Sequence, residues 1–292
     1  MKRHPINHLI WSKLRLHEWA FGLFLLVTSA RLLIAGCCAT GLMFCAMAAA
    51  VPMMVAVAAR WPGPATARLR LVLFPVWINL AYPLLGSVVA QLKLGLCDAT
   101  LLKCDIFVLG ETPARWLGGW NHPAATDFLS ACYLLFFPAV LAAFIVALAR
   151  PESSAVKLFN GLVTIYAIGF FGYTLVPAAG PHLAMACLLP PTRAGGVVTR
   201  LNADLVAAGS NRVDVFPSLH VAIVVFLMGV LWSRQRGLFS IFLIPAAGLC
   251  AATLYLGYHY AVDLAAGLLL AACGLLSASI PIPSHESHNS FR

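Results

Sequence analysis

The chain has 292 residues, of which 61% are hydrophobic and only 10% charged, against roughly 25% charged in an ordinary soluble domain. With a mean hydropathy of +0.89, a single water-soluble core, a disordered chain and a collagen-like fibre are all excluded. The formal net charge of +9 would raise nucleic acid as a partner of a soluble chain; in a membrane chain it asks first which side the charges occupy.

A bilayer core takes about 20 apolar residues per helix. In chain order the candidate spans are 20–36, 40–59, 71–92, 128–149, 158–176, 217–232, 238–257 and 260–279. They predict an all-α, polytopic membrane helix bundle of about eight transmembrane helices. The first pair reads either as two short spans or as one re-entrant hairpin. Arg31 lies inside it and needs a protein or water partner. Ile34-Ala35-Gly36-Cys37 matches a lipoprotein-type cleavage site. Because Arg31 interrupts the apolar run and another span follows at once, the segment is read as a retained span. The organisation is then one membrane domain: residues 1–92 with three spans, an outer loop at 93–127, and catalytic helices over 128–292 with a second outer loop at 177–216.

Eight spans put both termini on one side. Twelve lysines and arginines fall on that side, six on the other, and Arg31 within a span, which accounts for all 19. The positive-inside rule makes the basic side cytoplasmic. That side also carries Glu18, Glu152 and Glu286 and so holds the whole +9; the outer loops carry six acids and sum to zero. The charge is an orientation signal and does not call for nucleic acid.

The nine cysteines do not form a disulfide scaffold in a chain of this size. A Cys97–Cys104 bridge and free thiols are both open readings. In the 93–127 segment, Trp116 and Trp120 read as an interfacial aromatic pair, with a lid over the site as the sharper alternative.

Ionisable groups gathered at one membrane depth suggest function. Phe216-Pro217-Ser218-Leu219-His220 opens the sixth span, and Gly257-Tyr258-His259-Tyr260-Ala261-Val262-Asp263 opens the eighth. The sixth span runs inward and the seventh returns, so His220 and His259 meet at the non-cytoplasmic end. His259 and Asp263 are four apart and share a helix face. A neutral imidazole at His259 can attack phosphorus. Asp263 can fix its tautomer, and His220 can serve as general acid and base. Free amides at the start of the sixth span can hold phosphate oxygens.

These residues carry a resemblance. Pro217-Ser218-Leu219-His220 resembles the second signature of the type-2 phosphatidic acid phosphatase superfamily, and His259-x-x-x-Asp263 its third. The 39-residue interval between the histidines, the string at 216–222, and Tyr173 with Pro177-Ala178-Ala179-Gly180-Pro181 resemble the inositol phosphorylceramide synthase branch and its sphingomyelin synthase relatives. The resemblance covers about 105–275. It implies a six-helix core, an active site at the outer face, His259 as nucleophile, Asp263 as its partner and His220 as acid/base. The sequence departs from the phosphatase pattern twice. The first signature is absent before the fifth span, and Thr253 stands where phosphatases carry an arginine.

The phosphate therefore needs other partners. Arg193, Arg200 and Arg212 are on the expected side, Arg212 only eight residues before His220. Ser218, Tyr173 and Tyr258 are further substrate-binding candidates, and Asp204 and Asp214 could meet an acceptor's hydroxyls. The expected activity is phosphotransfer from a lipid donor to a hydroxyl acceptor, in sphingolipid-type metabolism, with lipid substrates and the bilayer as partners and no cofactor or metal. Alternatives are a lipid or polyprenyl phosphate phosphatase, a zinc site built from His220, His259 and Asp263, and a proton-coupled transporter.

Overall fold

A computed structural model describes residues 13–187 and 195–281. Among these the chain is helical throughout, its one strand-like contact being an isolated bridge between Ala178 and Asp214. The helices are α1 (Leu16–Ile34), α2 (Cys38–Arg60), α3 (Pro64–Ala81), α4 (Leu85–Gln91), α5 (Asp98–Leu109), α6 (Pro113–Trp116) and α7 (Pro123–Leu134). They continue with α8 (Phe136–Ala149), α9 (Glu152–Leu175), α10 (Pro181–Ala184), α11 (Val197–Gly209), α12 (Leu219–Arg234), α13 (Arg236–Tyr255) and α14 (Ala261–Ser279).

Seven of the described helical stretches are long and apolar enough to cross a membrane, and α12 is a shorter apolar helix. At 16 residues, α12 reaches roughly 24 Å, short of a ~30 Å hydrocarbon core. The eight expected spans are therefore present as helices, and the first pair is two helices, each long and apolar enough to cross. Prolines set the breaks. Pro138 has no amide to offer the Leu134 carbonyl, and the fourth span divides there into α7 and α8. Pro83 acts likewise on the third, which passes through a 3-10 turn at Tyr82–Leu84 between α3 and α4.

Helix α9 is the axis, with 67% of its spanning window buried inside the protein against 44% or less for the other spans. It packs on α1, α12 and α14; α12 also packs on α13 and α14, while α7 packs on α11 and α13. Outward faces carry exposed Ile145, Ile244 and Leu269, which suits a lipid surround. Arg31 finds the partner its position demands. It donates to the Thr174 hydroxyl at 2.9 Å and to the Thr174 carbonyl at 2.8 Å, a cation on the last carbonyls of α9.

The end of the bundle where α1, α3 and α9 begin holds a buried ionic cluster. Glu18 accepts from Arg70 and, at 2.7 Å, from the Arg15 amide. Arg15 also reaches Glu152. Beside them His17 and Asn160 meet at 2.6 Å.

All nine cysteines are free. Cys97 caps α5 and Cys104 lies on it; seven residues along a helix separate them by roughly 10 Å, beyond disulfide reach.

Candidate active site

Two strands of sequence come together at the other end of the bundle. The Phe216–Leu219 approach to α12 lies between α9 and α14. Glycines make that possible: a Cβ on Gly267 would sit 2.7 Å from the Ser218 carbonyl, and one on Gly172 would overlap Pro217. Ser218 is fully buried, and its hydroxyl caps α12 by accepting from the Val221 amide at 3.4 Å. Its own amide donates to the Asp263 carbonyl at 3.1 Å. The two motifs are thus tied by backbone before any side chain acts.

His259 is set by how α13 ends. Gly257 takes a left-handed φ of +73°. The Tyr258 amide bonds the Thr253 carbonyl at 2.9 Å and the Gly257 amide the Leu254 carbonyl at 3.1 Å, a Schellman termination. The His259 amide reaches the same Thr253 carbonyl at 3.0 Å. Thr253, at the phosphatase arginine's position, is fully buried and holds the turn through its backbone.

From this turn the His259 ring enters the protein with 2% of its residue surface exposed. Its Nδ1 lies 3.5 Å from an Asp263 carboxylate oxygen, an ion-pair distance for a protonated ring. The same oxygen accepts from the Tyr260 amide at 2.7 Å. With Nδ1 facing Asp263, Nε2 is the nitrogen left for chemistry. The His220 ring is 5.8 Å away, centroid to centroid, held by Tyr133 at 4.7 Å and Phe136 at 4.4 Å. Buried Nδ1 atoms of His182, His220 and His259, and Oδ1 of Asp263, make no hydrogen bond.

Both catalytic candidates line a cavity of about 650 Å³. Apolar and aromatic side chains of α3, α8 and α9 wall it, and the end of α11 with 210–215 roofs it. The covering residues therefore belong to the 177–216 segment, not the 93–127 segment suggested for a lid; Trp116 and Trp120 are exposed. Tyr173 and Tyr258 line the cavity, as does Asp214, which accepts from Tyr82 and, at 3.0 Å, from Ser210. Asn202 donates to the Tyr258 hydroxyl at 2.9 Å, and burial pushes that hydroxyl's pKa up to about 12. Arg200, Arg212 and Asp204 are exposed, and none of them is in the cavity lining, which includes no lysine or arginine. Arg193 lies outside the described residues. Among those described, no group of three or more His, Cys, Asp or Glu is arranged to hold a metal ion.

The sequence reading missed His182. It follows Gly180-Pro181, lines the cavity, and packs edge-on to Tyr258 at 5.0 Å. Burial, with His259 nearby, lowers its pKa. The signal was its place directly after the Pro-Ala-Ala-Gly-Pro string. Three acids of the first outer loop and the start of α7 were missed as well. Asp98 accepts from the Ala179 and Gly180 amides at 3.0 and 2.9 Å. Asp105 accepts from the Ala261 and Val262 amides, both at 3.0 Å, and from the Thr112 hydroxyl at 2.9 Å. Asp127 accepts from the Gly196 and Thr199 amides at 2.8 and 3.0 Å. Each pins one wall of the site, and Asp105 occupies the free amides at the start of α14.

An all-α membrane bundle with paired inward histidines, one backed by a carboxylate, defines a class of phosphoryl-handling membrane protein. The chain belongs to the PAP2 superfamily, whose family model matches residues 109–277; it is a multi-pass membrane enzyme of phosphatase type. The match is to the superfamily as a whole, and it leaves α1 to α4 outside. No curated protein and no solved structure matches the chain.

Proposed function

We propose that the protein is a lipid phosphotransferase that works through a phospho-histidine at His259. The observation that carries this is the placement of His259 and His220 on one cavity, with Asp263 at the far side of the His259 ring. His259 Nε2 attacks the donor's phosphorus, and the bond to the leaving lipid oxygen breaks. His220, protonated, gives that oxygen its proton. Asp263 stabilises the positive ring that develops. An acceptor hydroxyl then attacks the phospho-histidine, its proton passes to His220, and the nitrogen–phosphorus bond breaks.

The aromatic walls between α3 and α8 suit a lipid's chains. Asp214 on the wall offers a carboxylate to an acceptor hydroxyl, which favours transfer over hydrolysis. Phosphate contacts are drawn from Tyr173, Tyr258 and His182, with Ser218 shaping the α12 start. Arg193, Arg200 and Arg212 are the candidates for neutralising its charge from the second outer loop. The basic excess at the opposite end supports an active site on the non-cytoplasmic face. The inositol phosphorylceramide synthase-like substrates implied by the motif strings are the first donors and acceptors to try.

Incubating the purified protein with a donor labelled in its phosphate tests the reading. An acid-labile, base-stable label is expected on the wild type and none on His259→Ala. Labelling that persists in His259→Ala removes the nucleophile. Free phosphate released from a lipid phosphate without any hydroxyl acceptor selects hydrolysis instead.

A further inference from the structure

A second cavity lies outside the catalytic one. It is a groove of about 500 Å³ between α8, the start of α9, α12 and α13. Its walls are apolar: Ala139, Ala142 and Val146 from α8, Leu227 from α12, Phe242 and Leu249 from α13. Its mouth is cationic, with Arg150 after α8, Lys157 in the second turn of α9 and Arg234 at the end of α12. No aspartate or glutamate lines it.

These cations are not committed elsewhere within the described residues. The nearest acid in sequence, Glu152, pairs with Arg15. Arg236, next along from Arg234, lies over the Trp232 ring at 4.2 Å. From Arg150 the groove follows α8 inward to Phe136, roughly 21 Å at 1.5 Å per residue. That exceeds the ~15 Å depth of one leaflet's hydrocarbon. A soluble anion would leave the apolar walls empty. An apolar helix of a second copy would leave three cations without counter-charge.

We propose that this groove seats one anionic phospholipid of the leaflet opposite the catalytic cavity. One acyl chain would lie along α8, and the headgroup phosphate would meet Arg150, Lys157 and Arg234. A zwitterionic lipid would fit the walls and offer the same phosphate, but its own cation offsets much of the gain at the mouth. The inner end matters to the enzyme, because Phe136 lines both cavities and packs on His220.

Native mass spectrometry of the full-length protein, delipidated in neutral detergent, tests this with phosphatidylglycerol against phosphatidylcholine of the same chains. The wild type should retain one phosphatidylglycerol with roughly 10–100-fold preference, from about one kcal/mol per basic group near a charged headgroup. The triple variant R150Q/K157Q/R234Q should bring the two lipids within about twofold of each other. Ala142→Trp, which fills the groove, should remove the retained lipid while thermal unfolding stays near wild type. Equal retention of both lipids by the wild type overturns the proposal, as does selectivity that survives in the triple variant. Should that variant fold poorly, half-exposed Lys157→Gln alone must still lower the preference several-fold. A dimer that Ala142→Trp breaks, with no lipid selectivity, would assign the groove to a second copy.

Discussion

The two ends of the bundle bury different polar chemistry: carboxylate–guanidinium pairs at one, facing imidazoles at the other. Where α1, α3 and α9 begin, every buried charged side chain has an ionic partner: Glu18 with Arg70, Arg15 with Glu152. Where α12 and α14 begin, four buried polar atoms of His182, His220, His259 and Asp263 have no hydrogen bond. Taking a charge out of water costs several kcal/mol unless it is paired, and unpaired buried polar groups call for an explanation. The first end ties α1, α3 and α9 together through paired charges, although His17 Nε2 makes no hydrogen bond there either. The second sets three imidazoles on the wall of one cavity.

That contrast can be broken by substitution. The largest effect is expected from Asp263→Asn. It keeps an acceptor for the Tyr260 amide but removes the charge that would stabilise the positive ring formed when His259 attacks. By analogy with carboxylate loss in other histidine-dependent sites, turnover should fall about 10⁴-fold, with little change in thermal unfolding. A large loss of stability with turnover intact would make Asp263 structural. Next comes Glu18→Gln, which leaves Arg70 buried without its counter-charge. It should cost about 3–5 kcal/mol in denaturant unfolding while the folded fraction keeps its specific activity. Impaired turnover in that folded fraction would mean that the two ends are not separable. The smallest effect is expected from Asp105→Ala. Two amides of α14 lose their acceptor, at roughly 1–3 kcal/mol. Because those amides lie two and three residues after His259, turnover should fall with stability, and a change in stability alone would show that the start of α14 is held without Asp105.

Much of the fold was legible because a bilayer imposes a local rule. A span must be apolar over its own length, so the eight stretches could be read one by one. His220, His259 and Asp263 were legible for a related reason: motif spacing, helix periodicity and alternating span direction bring them to one end. The roles of Asp98, Asp105 and Asp127 were not. Asp105 bonds amides 156 and 157 residues away, and nothing local in 93–127 announces a cap for a distant helix. The charge tally counted the acids of 93–127 and 177–216 against the arginines there, but Asp98, Asp105 and Asp127 serve backbone amides. Arg200 and Arg212 were chosen by the side they fall on, Arg212 also by its closeness to His220 in sequence, and exposure on the roof is a property of how α11 packs on α7.

The sequence alone therefore determined the solvent, the class and which motif residues meet at one end of the bundle. Apolar runs decide between bilayer and water, and imidazole and carboxylate chemistry depends on residue type and short spacing. Tertiary structure decided where the cavity opens, what roofs it, which acids hold its walls, and that a second, cation-mouthed groove shares Phe136 with it. Those features depend on helices far apart in the chain meeting at a set distance and angle, and packing, not local pattern, determines where they meet.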